Sequence, residues 1–326
     1  MELKKFLPYL AGVFTSLIFG FSFLFTSIGL KMVNPMDLIA YRFSTAALIM
    51  TILWAVGFIK LSYRGKNLSG VILLSLCEPV IYFICETYGI KNTTSSLSGL
   101  MIALIPVVVT IFASIYLKER TNFYQILFII LSIAGVAVIV LLDGYEGGVS
   151  RPVGFVFLLG AVISAGSYSV LSRKLSESFT PFEITFVMMW IGAIFFNAVD
   201  IIQRINNNTL MGYLKDINNY NVIIPVVYLG VLSSVIAYIL HNFMLAKLPA
   251  SQAAVFANLT TIVSVFAGIF INHESFYWFH ILGGIMILAG VWGTNYYGRS
   301  ERNIKERVRH KLNKPQFMLK NIKIKG

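Results

Sequence analysis

Long apolar runs alternate with short polar connections along almost the whole chain. Ten such runs approach the ~20 residues that a helix needs to cross a ~30 Å hydrocarbon core. They cover about 6–30, 37–59, 68–89, 94–117, 123–142, 152–174, 181–203, 221–245, 251–272 and 277–297. The pattern therefore predicts an all-α integral membrane protein with ten transmembrane helices.

The composition agrees with a membrane protein. Hydrophobic residues make up 57% of the 326 residues and charged residues only 12%, whereas roughly 25% of residues are charged in soluble domains. The sequence contains no P-loop, HExxH, CxxC or GxSxG motif and no paired aspartates for metal–pyrophosphate chemistry. These absences argue against ATP hydrolysis, and we expect neither a cofactor nor a bound metal.

The distribution of Lys and Arg predicts the orientation, because cytoplasmic connections carry an excess of these residues. More of them lie on the side of the N-terminus than on the opposite side, and the C-terminal tail is basic as well. We therefore expect a multi-pass protein of the plasma (cell) membrane with both termini in the cytoplasm. Residues 298–326 would form a basic cytoplasmic tail near anionic lipid headgroups. Nucleic-acid binding is the less favoured interpretation of that tail.

Two halves of the chain carry matching residues at a nearly constant spacing. The matching pairs are Tyr82 with Tyr238, Cys85 with His241, Glu86 with Asn242, and Glu119 with Glu274. Five helices per half is an odd number, so the second half would enter the membrane in the opposite orientation. The sequence thus predicts two inverted five-helix repeats, residues 1–145 and 146–297, an architecture found in many secondary transporters.

Short motifs spread over about 6–297 add to this repeat. They are Gly20 to Phe43, Leu104-Ile105-Pro106 running to Leu117-Lys118-Glu119, Gly135-Val136, Glu274, Gly283 and Gly290-Val291. Together they resemble the EamA-type branch of the drug/metabolite transporter superfamily. The resemblance implies ten helices, cytoplasmic termini and the movement of small metabolites or amino acids, often outward. The chain departs from the family at Thr260 and Thr261, where a proline is usual, so a matching kink in helix 9 is left open.

Helix 3 carries two carboxylates within its apolar run. Glu78, Tyr82 and Glu86 recur every fourth residue and so lie along one stripe of a helix. A carboxylate at the bilayer centre costs roughly 2.5–3.5 kcal/mol on insertion scales, so two of them need a partner, a proton or a water-filled cavity. We interpret Glu78 and Glu86 as groups that bind an amino or cationic solute, carry a coupling proton, or do both in competition. The alternative is that hydrogen bonds satisfy both and they only fix helix packing.

Helix 8 brings polar residues to the corresponding position of the second half. Tyr238, His241 and Asn242 would shape the same pocket as the helix 3 residues. His241 would accept a proton or pair with a carboxylate, because histidine titrates near neutral pH. The alternative for His241 is a packing residue close to a helix end.

A second tier of candidates lies on helices 4 and 9. Pro106 would break helix 4 and free a carbonyl, while Asn258 and Thr261 would add polar atoms to a cavity. The alternative for Pro106 is a kink that serves packing alone, and the alternative for the helix 9 residues is that their side chains satisfy helix carbonyls. Three charged residues lie near the ends of spans, where snorkelling or pairing is easy, and are not assigned to the site: Arg42, Glu183 and Asp200.

These residues predict a secondary active transporter of a small amino-acid-like or cationic metabolite, coupled to protons. Helices 1, 3, 4, 6, 8 and 9 would line its cavity, a choice that follows partly from the family resemblance. One alternative is a membrane-embedded enzyme that acts on a lipid-like substrate, and another is a facilitator or channel. We expect no enzymatic activity. The partners would be the small-molecule substrate, protons and membrane lipids, without nucleic acid, and the oligomeric state is left open.

Overall fold

The computed structural model describes residues 3–116, 122–145, 150–209 and 219–312. Within these ranges the chain is helical without any β-strand, and its helices group into ten segments. In the first half, segment 1 is α1 (Leu3–Leu30) and segment 2 is α2 (Pro35–Ala55). Segment 3 consists of α3 (Ser69–Ser75), a kinked stretch (Leu76–Ile81) and α4 (Tyr82–Asn92). Segment 4 consists of α5 (Ser95–Ile102) and α6 (Ile105–Tyr116), and segment 5 is α7 (Phe123–Tyr145). In the second half, segment 6 is α8 (Pro152–Leu175) and segment 7 is α9 (Pro181–Asn206). Segment 8 consists of α10 (Tyr220–Val227), a π-helical stretch (Tyr228–Ile236) and α11 (Ala237–Lys247). Segment 9 consists of α12 (Ala250–Ala253) and α13 (Phe256–Phe270), and segment 10 is α14 (Trp278–Leu312).

By length and composition, 8 of the described helical stretches are able to cross a membrane. They belong to segments 1 to 8, and segment 9 adds a shorter apolar helix, Phe256–Phe270. Large apolar side chains such as Phe14, Ile130 and Ile285 are exposed on the outside of the bundle. Apolar surface of this extent suits lipid rather than water. The expectation of an all-α membrane protein with several spans is thus confirmed, whereas Glu119 and residues 313–326 of the tail lie outside the described residues.

Local sequence explains where several segments begin. Three of them start with a proline, whose missing N–H is not needed at a helix N-terminus: Pro35, Pro152 and Pro181. Before Pro181, the Thr180 hydroxyl accepts a hydrogen bond from the Glu183 N–H, and Glu183 Oε2 accepts one from the Thr180 N–H. This capping box satisfies two N–H groups that the helix itself leaves free. Glu183 also pairs with Lys66 at 2.7 Å, in agreement with its expected role at a span end.

The contacts between segments repeat when the two halves are exchanged. Segment 1 packs against segments 8 and 9, and segment 6 packs against segments 3 and 4. Segment 2 contacts segment 8 in the same way that segment 7 contacts segment 3. The pairs 2 with 7, 4 with 9 and 5 with 10 each join equivalent segments of the two halves. The segments therefore form two repeats of five that share one interface, as the matching residues indicated.

Segments 5 and 10 form a closely packed pair beside the other eight. A Cβ atom added to Gly135 would lie 2.6 Å from the carbonyl oxygen of Gly283, so the two backbones approach each other as only glycines allow. The pair also holds His280 and Asp143, whose Nε2 and Oδ1 atoms are 3.2 Å apart and buried. The small residues of segment 10 thus serve helix packing.

Four segments near the shared interface are interrupted. Segment 3 is kinked at Glu78, within Leu76–Ile81, and segment 8 contains a π-helical stretch, Tyr228–Ile236. Segment 4 breaks between Ile102 and Ile105, just before Pro106, and segment 9 breaks between Ala253 and Phe256. The second break forms without a proline, so the missing proline near Thr260 does not prevent a matching interruption. Irregular backbone at membrane depth is tolerated where it lies within protein or lines a cavity.

Candidate functional site

A cavity lies between the two repeats, in the middle of the bundle. Its walls come from segments 1, 2, 3 and 4 of the first repeat and from segments 6, 8 and 9 of the second. It contains about 730 Å³ of space free of protein atoms, a volume that includes space open to the outside. All six helices expected to line a cavity contribute to it, and segment 2 is an additional wall.

The structure brings most of the first-rank candidates together in this cavity. The lining includes Glu78, Tyr82, Glu86, Tyr238 and His241. The remaining first-rank candidate, Asn242, and the second-tier residues Pro106, Asn258 and Thr261 are not part of the lining. The correspondence between segments 3 and 8 therefore identified the correct region of both segments but not every side chain that faces the cavity.

Glu78 lies at the interruption of segment 3. Its backbone is extended, with φ −142° and ψ 112°, between the helices α3 and α4. The side chain is buried, with 6% of its surface exposed. The Tyr238 hydroxyl donates a hydrogen bond to Glu78 Oε1. This bond joins segment 3 to segment 8 and thus connects the two repeats through a carboxylate in the cavity wall.

Glu86 differs from Glu78 because one of its oxygens has no protein partner. Among the described residues, Glu86 Oε2 is buried and makes no hydrogen bond, and only 1% of the residue is exposed. The same holds for two other atoms of the cavity lining, Thr15 Oγ1 and His241 Nδ1. Buried polar atoms without a hydrogen-bond partner are costly, so a cluster of them in one cavity indicates a place for a ligand or for water.

Arg42 is a cavity residue that the sequence analysis did not assign to the site. It is 3% exposed, and its Nε and Nη2 atoms donate to the hydroxyls of Ser234 and Ser233, both at 2.8 Å. Its guanidinium carbon lies 4.1 Å from the centre of the Phe83 ring, within the range of a cation–π interaction. The earlier expectation of a snorkelling residue near a span end is therefore corrected, because segment 8 and Phe83 hold Arg42 inside the bundle. The sequence did contain a signal for this position: Arg42 lies about 10 Å along the helix axis from Pro35, where segment 2 begins, and thus within the span.

Aromatic rings form much of the remaining wall. The His241 ring stacks on Tyr168, with ring centres 5.7 Å apart and planes at 16°. Phe19 packs edge to face against Tyr238, with ring centres 5.3 Å apart. The Phe83 ring faces the Arg42 guanidinium and packs edge to face against Phe43. The cavity thus combines apolar faces with a small number of charged and hydroxyl groups, which is typical of a solute site.

Asn242 holds segments together instead of facing the cavity. Its Oδ1 accepts hydrogen bonds from the hydroxyls of Tyr168 and Ser172, both at 2.7 Å, and its Nδ2 donates to Thr185 Oγ1 at 3.0 Å. With 1% of its surface exposed, it is fully buried between segments 6, 7 and 8. The assignment of Asn242 to the pocket is therefore corrected: its amide atoms bind neighbouring helices.

The second-tier residues also lie outside the lining. Thr261 donates to the Gly99 carbonyl at 2.7 Å and thereby ties segment 9 to segment 4. Pro106 is near the start of α6, where it follows the break in segment 4. Asn258 has a buried Oδ1 atom without a hydrogen-bond partner among the described residues, but it does not line the cavity. Thr260, its neighbour on segment 9, is the residue of this patch that does.

Hydrogen bonds close the bundle on one side of the cavity, at what we call the Glu274 end. Glu274 accepts hydrogen bonds from the N–H and hydroxyl groups of Ser95 and Ser96, at 2.5 to 2.9 Å. Asn272 donates to Glu274 and to Ser27 and accepts from Lys31. Burial raises the pKa of the Glu274 carboxyl, but the hydrogen bonds from Ser95, Ser96 and Asn272 outweigh it, so the pKa lies below the ordinary 4.5. The start of segment 4 is thus held by the connection that follows segment 9.

The opposite side, the Arg173 end, has a different relation to the cavity. There the Arg173 guanidinium donates to the carbonyls of Leu245 and Ala246, at 3.2 and 2.7 Å. Several lining residues of segments 8 and 9, such as Met244 and Ala254, lie close to this end. The cavity therefore extends from the middle of the bundle towards the Arg173 end and away from Glu274.

The fold and the site define a class of protein. A solute-sized cavity between two five-segment repeats, with interrupted helices around it, is the arrangement of secondary transporters. The family comparison agrees: the profile of the EamA-like transporter family matches residues 6–141 and 152–296. The chain belongs to the EamA-like transporter family and is a multi-pass membrane transporter, not an enzyme.

Individual relatives are transporters as well. The chain is 33% identical over 287 residues to the "Uncharacterized transporter YcxC" of Bacillus subtilis (strain 168), covering 88% of this chain and 92% of that relative. It is 24% identical over 238 residues to the "Probable terminal-alkyne amino-acid exporter" of Streptantibioticus cattleyicolor, covering 71% and 74%. One solved crystal structure matches with a TM-score of 0.63 at 17% identity, covering 90% of this chain and 98% of the other, which supports the fold.

Proposed function

We propose that this chain is a secondary active transporter that exports a small amino-acid-like or cationic metabolite across the plasma membrane, coupled to protons. The observation that carries the proposal is the buried cavity that contains Glu78 and Glu86 together with Arg42. One arginine balances only one ionised carboxylate. A proton or a cationic group of the solute is therefore needed to neutralise the second in a membrane interior.

The proposed topology has ten spans, with segments 9 and 10 crossing the membrane like the eight longer stretches. Residues 1–145 and 146–297 would be two repeats of opposite orientation, and residues 298–326 a basic cytoplasmic tail near anionic lipid. The excess of Lys and Arg on the side of the N-terminus supports this orientation. In this topology the Arg173 end faces the cytoplasm and the Glu274 end faces outward.

This orientation assigns a step of transport to the observed conformation. The cavity extends towards the cytoplasmic end, while the hydrogen bonds of Glu274 and Asn272 hold the outer end together. An exporter would load its solute from the cytoplasm in such a state and then exchange the conformations of its two repeats. The name of the Streptantibioticus relative, an amino-acid exporter, supports outward movement of an amino-acid-like solute.

The two carboxylates would have different roles. Glu78 accepts a hydrogen bond from Tyr238, and the cavity wall around it also contains Tyr82, Tyr168, Glu86 and Arg42. We assign the coupling proton to Glu78, because its bond from segment 8 links protonation to contact between the repeats. Glu86, with its partnerless oxygen, remains for the solute.

The decisive test is transport by the purified full chain in proteoliposomes. A pH step is imposed across the membrane, a mixed pool of labelled amino acids and amines is supplied, and Glu78→Gln is compared with wild type. Glu183→Gln, at a span end outside the cavity, is the matched control. We expect uphill accumulation that follows the pH step in wild type and in the control and is absent in Glu78→Gln.

Two other outcomes would contradict parts of this proposal. Downhill exchange that ignores both the pH step and the Glu78 substitution would identify a facilitator or exchanger and remove the proton from the mechanism. Flux that cannot be driven uphill by any imposed gradient would identify a channel.

A further inference from the structure

The cavity contains two buried groups of opposite charge that do not pair with each other. Arg42 is 3% exposed and Glu86 is 1% exposed, and both line the cavity. No ion pair joins Arg42 to Glu86 or to Glu78 within the part of the chain that the structure describes. A buried charge without a counter-charge in contact is strongly unfavourable, so each group lacks a partner that a ligand could supply.

Arg42 is held on one side and free on the other, and Glu86 has a carboxylate oxygen without a partner. Ser233 and Ser234 bind the Nε and Nη2 atoms of Arg42, which leaves Nη1 without a protein acceptor among the described residues. A guanidinium binds carboxylates through two parallel N–H groups, so the free side of Arg42 suits such a ligand. Glu86 Oε2, also without a partner, suits an N–H donor that carries a positive charge.

We infer that Arg42 and Glu86 form a two-point site for a zwitterion, in which Arg42 binds the carboxylate and Glu86 the ammonium group of an α-amino acid. The inference rests on the proposed function and narrows its substrate class. A simple amine would leave Arg42 without a counter-charge, and a simple carboxylic acid would leave Glu86 without one. Only a solute with both charges satisfies both residues and adds no net charge to the buried cavity.

The walls indicate what the rest of the solute resembles. Phe19, Tyr168, Tyr238 and the His241 ring form an aromatic cluster beside the two charges. Such rings favour an apolar or aromatic side chain over a charged one. Phenylalanine is therefore a suitable probe, because two compounds of similar size each lack one of its charges: 2-phenylethylamine lacks the carboxylate and 3-phenylpropanoate lacks the ammonium group.

The experiment measures equilibrium binding of these three labelled compounds to the full chain in lipid nanodiscs. Wild type is expected to bind phenylalanine about tenfold or more tightly than either other compound, the gain of at least one charge-assisted hydrogen bond. In Arg42→Gln the preference for phenylalanine over 2-phenylethylamine should fall to within about twofold. In Glu86→Gln the preference over 3-phenylpropanoate should fall in the same way. A residue that only supported the fold would weaken all three compounds together.

In the expected result, which we call the crossed pattern, each substitution removes the preference over one of the two other compounds. Control variants distinguish this pattern from damage to the protein. Arg173→Gln and Glu183→Gln remove charges outside the cavity and should leave both preferences unchanged. Arg42→Lys keeps a positive charge, so it should retain part of the preference for a carboxylate even if Arg42→Gln binds nothing.

The inference fails if wild type binds 2-phenylethylamine as tightly as phenylalanine, if it binds none of the three, or if Arg42→Gln keeps the wild-type preference. This failure is distinct from failure of the proposed function. If a pH step drives a simple amine uphill and no amino acid, proton-coupled transport stands and the zwitterion site falls. If the crossed pattern appears but no solute follows the pH step, the site stands and the coupling falls.

Discussion

Segments 3 and 8 occupy equivalent places in the two repeats and both are interrupted, yet their side chains have different roles. Segment 3 is kinked at Glu78, segment 8 contains a π-helical stretch, and each places a tyrosine in the cavity wall, Tyr82 and Tyr238. Segment 3 then contributes Glu86, which has a partnerless oxygen. Segment 8 contributes Asn242 at the corresponding position, and its amide makes three hydrogen bonds to neighbouring helices.

The contacts between segments are thus symmetric between the two repeats, whereas the charged residues of the cavity are not. The contacts between segments repeat under exchange of the halves, which suits a protein whose two conformations are related by that exchange. The charged residues of the cavity, Arg42, Glu78 and Glu86, all belong to the first repeat. The second repeat contributes hydroxyls and rings that orient them, such as Ser233, Ser234 and Tyr238.

The largest expected effect separates function from stability at Glu86. We expect Glu86→Gln to reduce solute binding and transport by about a hundredfold, equivalent to roughly 3 kcal/mol of lost charge-assisted contact. The free energy of unfolding should not fall, because the substitution removes a buried charge without a partner in contact. Transport in proteoliposomes and thermal unfolding in detergent measure the two quantities. Normal transport with reduced stability would show that Glu86 is a packing residue.

The next largest effect is expected at Asn242, where a substitution should reduce stability and leave the binding preference unchanged. Replacing it with Ala removes three interhelical hydrogen bonds and leaves the Tyr168 and Ser172 hydroxyls without their acceptor. The free energy of unfolding should fall by about 2 kcal/mol, at roughly 0.6 kcal/mol for each bond within a membrane. The preference among phenylalanine, 2-phenylethylamine and 3-phenylpropanoate should persist in the protein that remains folded. A changed preference at normal stability would return Asn242 to the binding site.

The architecture was predictable from the sequence because the length of an apolar run is a local property and because the repeat appears when the two halves of the chain are compared. Sequence reasoning reached Glu78, Tyr82, Glu86, Tyr238 and His241 because charged or polar groups within a span need a protein partner or a cavity. The position of Asn242 was not predictable in this way, because the hydroxyl groups that bind its amide belong to segments 6 and 7, far away in the sequence.

Arg42 was missed for a different physical reason. Long basic side chains near span ends usually reach the interface, so position alone favoured snorkelling. What holds Arg42 inside is a pair of serines from the other repeat, almost two hundred positions away, at |i−j| of 191 and 192. No local pattern connects those residues before the fold is known. The same is true of Ser95 and Ser96, which meet Glu274 only through packing of segments 4 and 9.

A smaller effect tests the closure at the Glu274 end. Glu274→Gln keeps the shape of the side chain but removes the charge from acceptors of four hydrogen bonds donated by Ser95 and Ser96. At pH 7 the free energy of unfolding should fall by about 1 kcal/mol, and opening of the bundle at the Glu274 end should become easier. Thermal unfolding and accessibility of a cysteine introduced near Ser95 measure the two.

The pKa of Glu274 determines how its contribution to the free energy of unfolding depends on pH. Its pKa is lower in the folded protein than the ordinary 4.5, so the unfolded chain binds the proton more readily. The contribution is therefore fully present above pH 4.5 and is lost as the pH falls through the lower, folded-state value. Wild type should lose more stability than Glu274→Gln on acidification below pH 4.5, and equal losses would contradict the assignment.

The smallest expected effect concerns the interruptions of segments 4 and 9. Segment 4 breaks before Pro106, whereas segment 9 breaks between Ala253 and Phe256 without a proline. In both places N–H groups bond to carbonyls three residues earlier, such as Leu104 to Met101 and Ala257 to Ala254. A break of this kind therefore does not require a proline. We expect Pro106→Ala to change the free energy of unfolding by less than about 1 kcal/mol and to leave transport within about twofold of wild type. A large loss of transport at unchanged stability would mean that segment 4 needs its proline for movement, and that the two repeats differ in their hinges as well as in their charges.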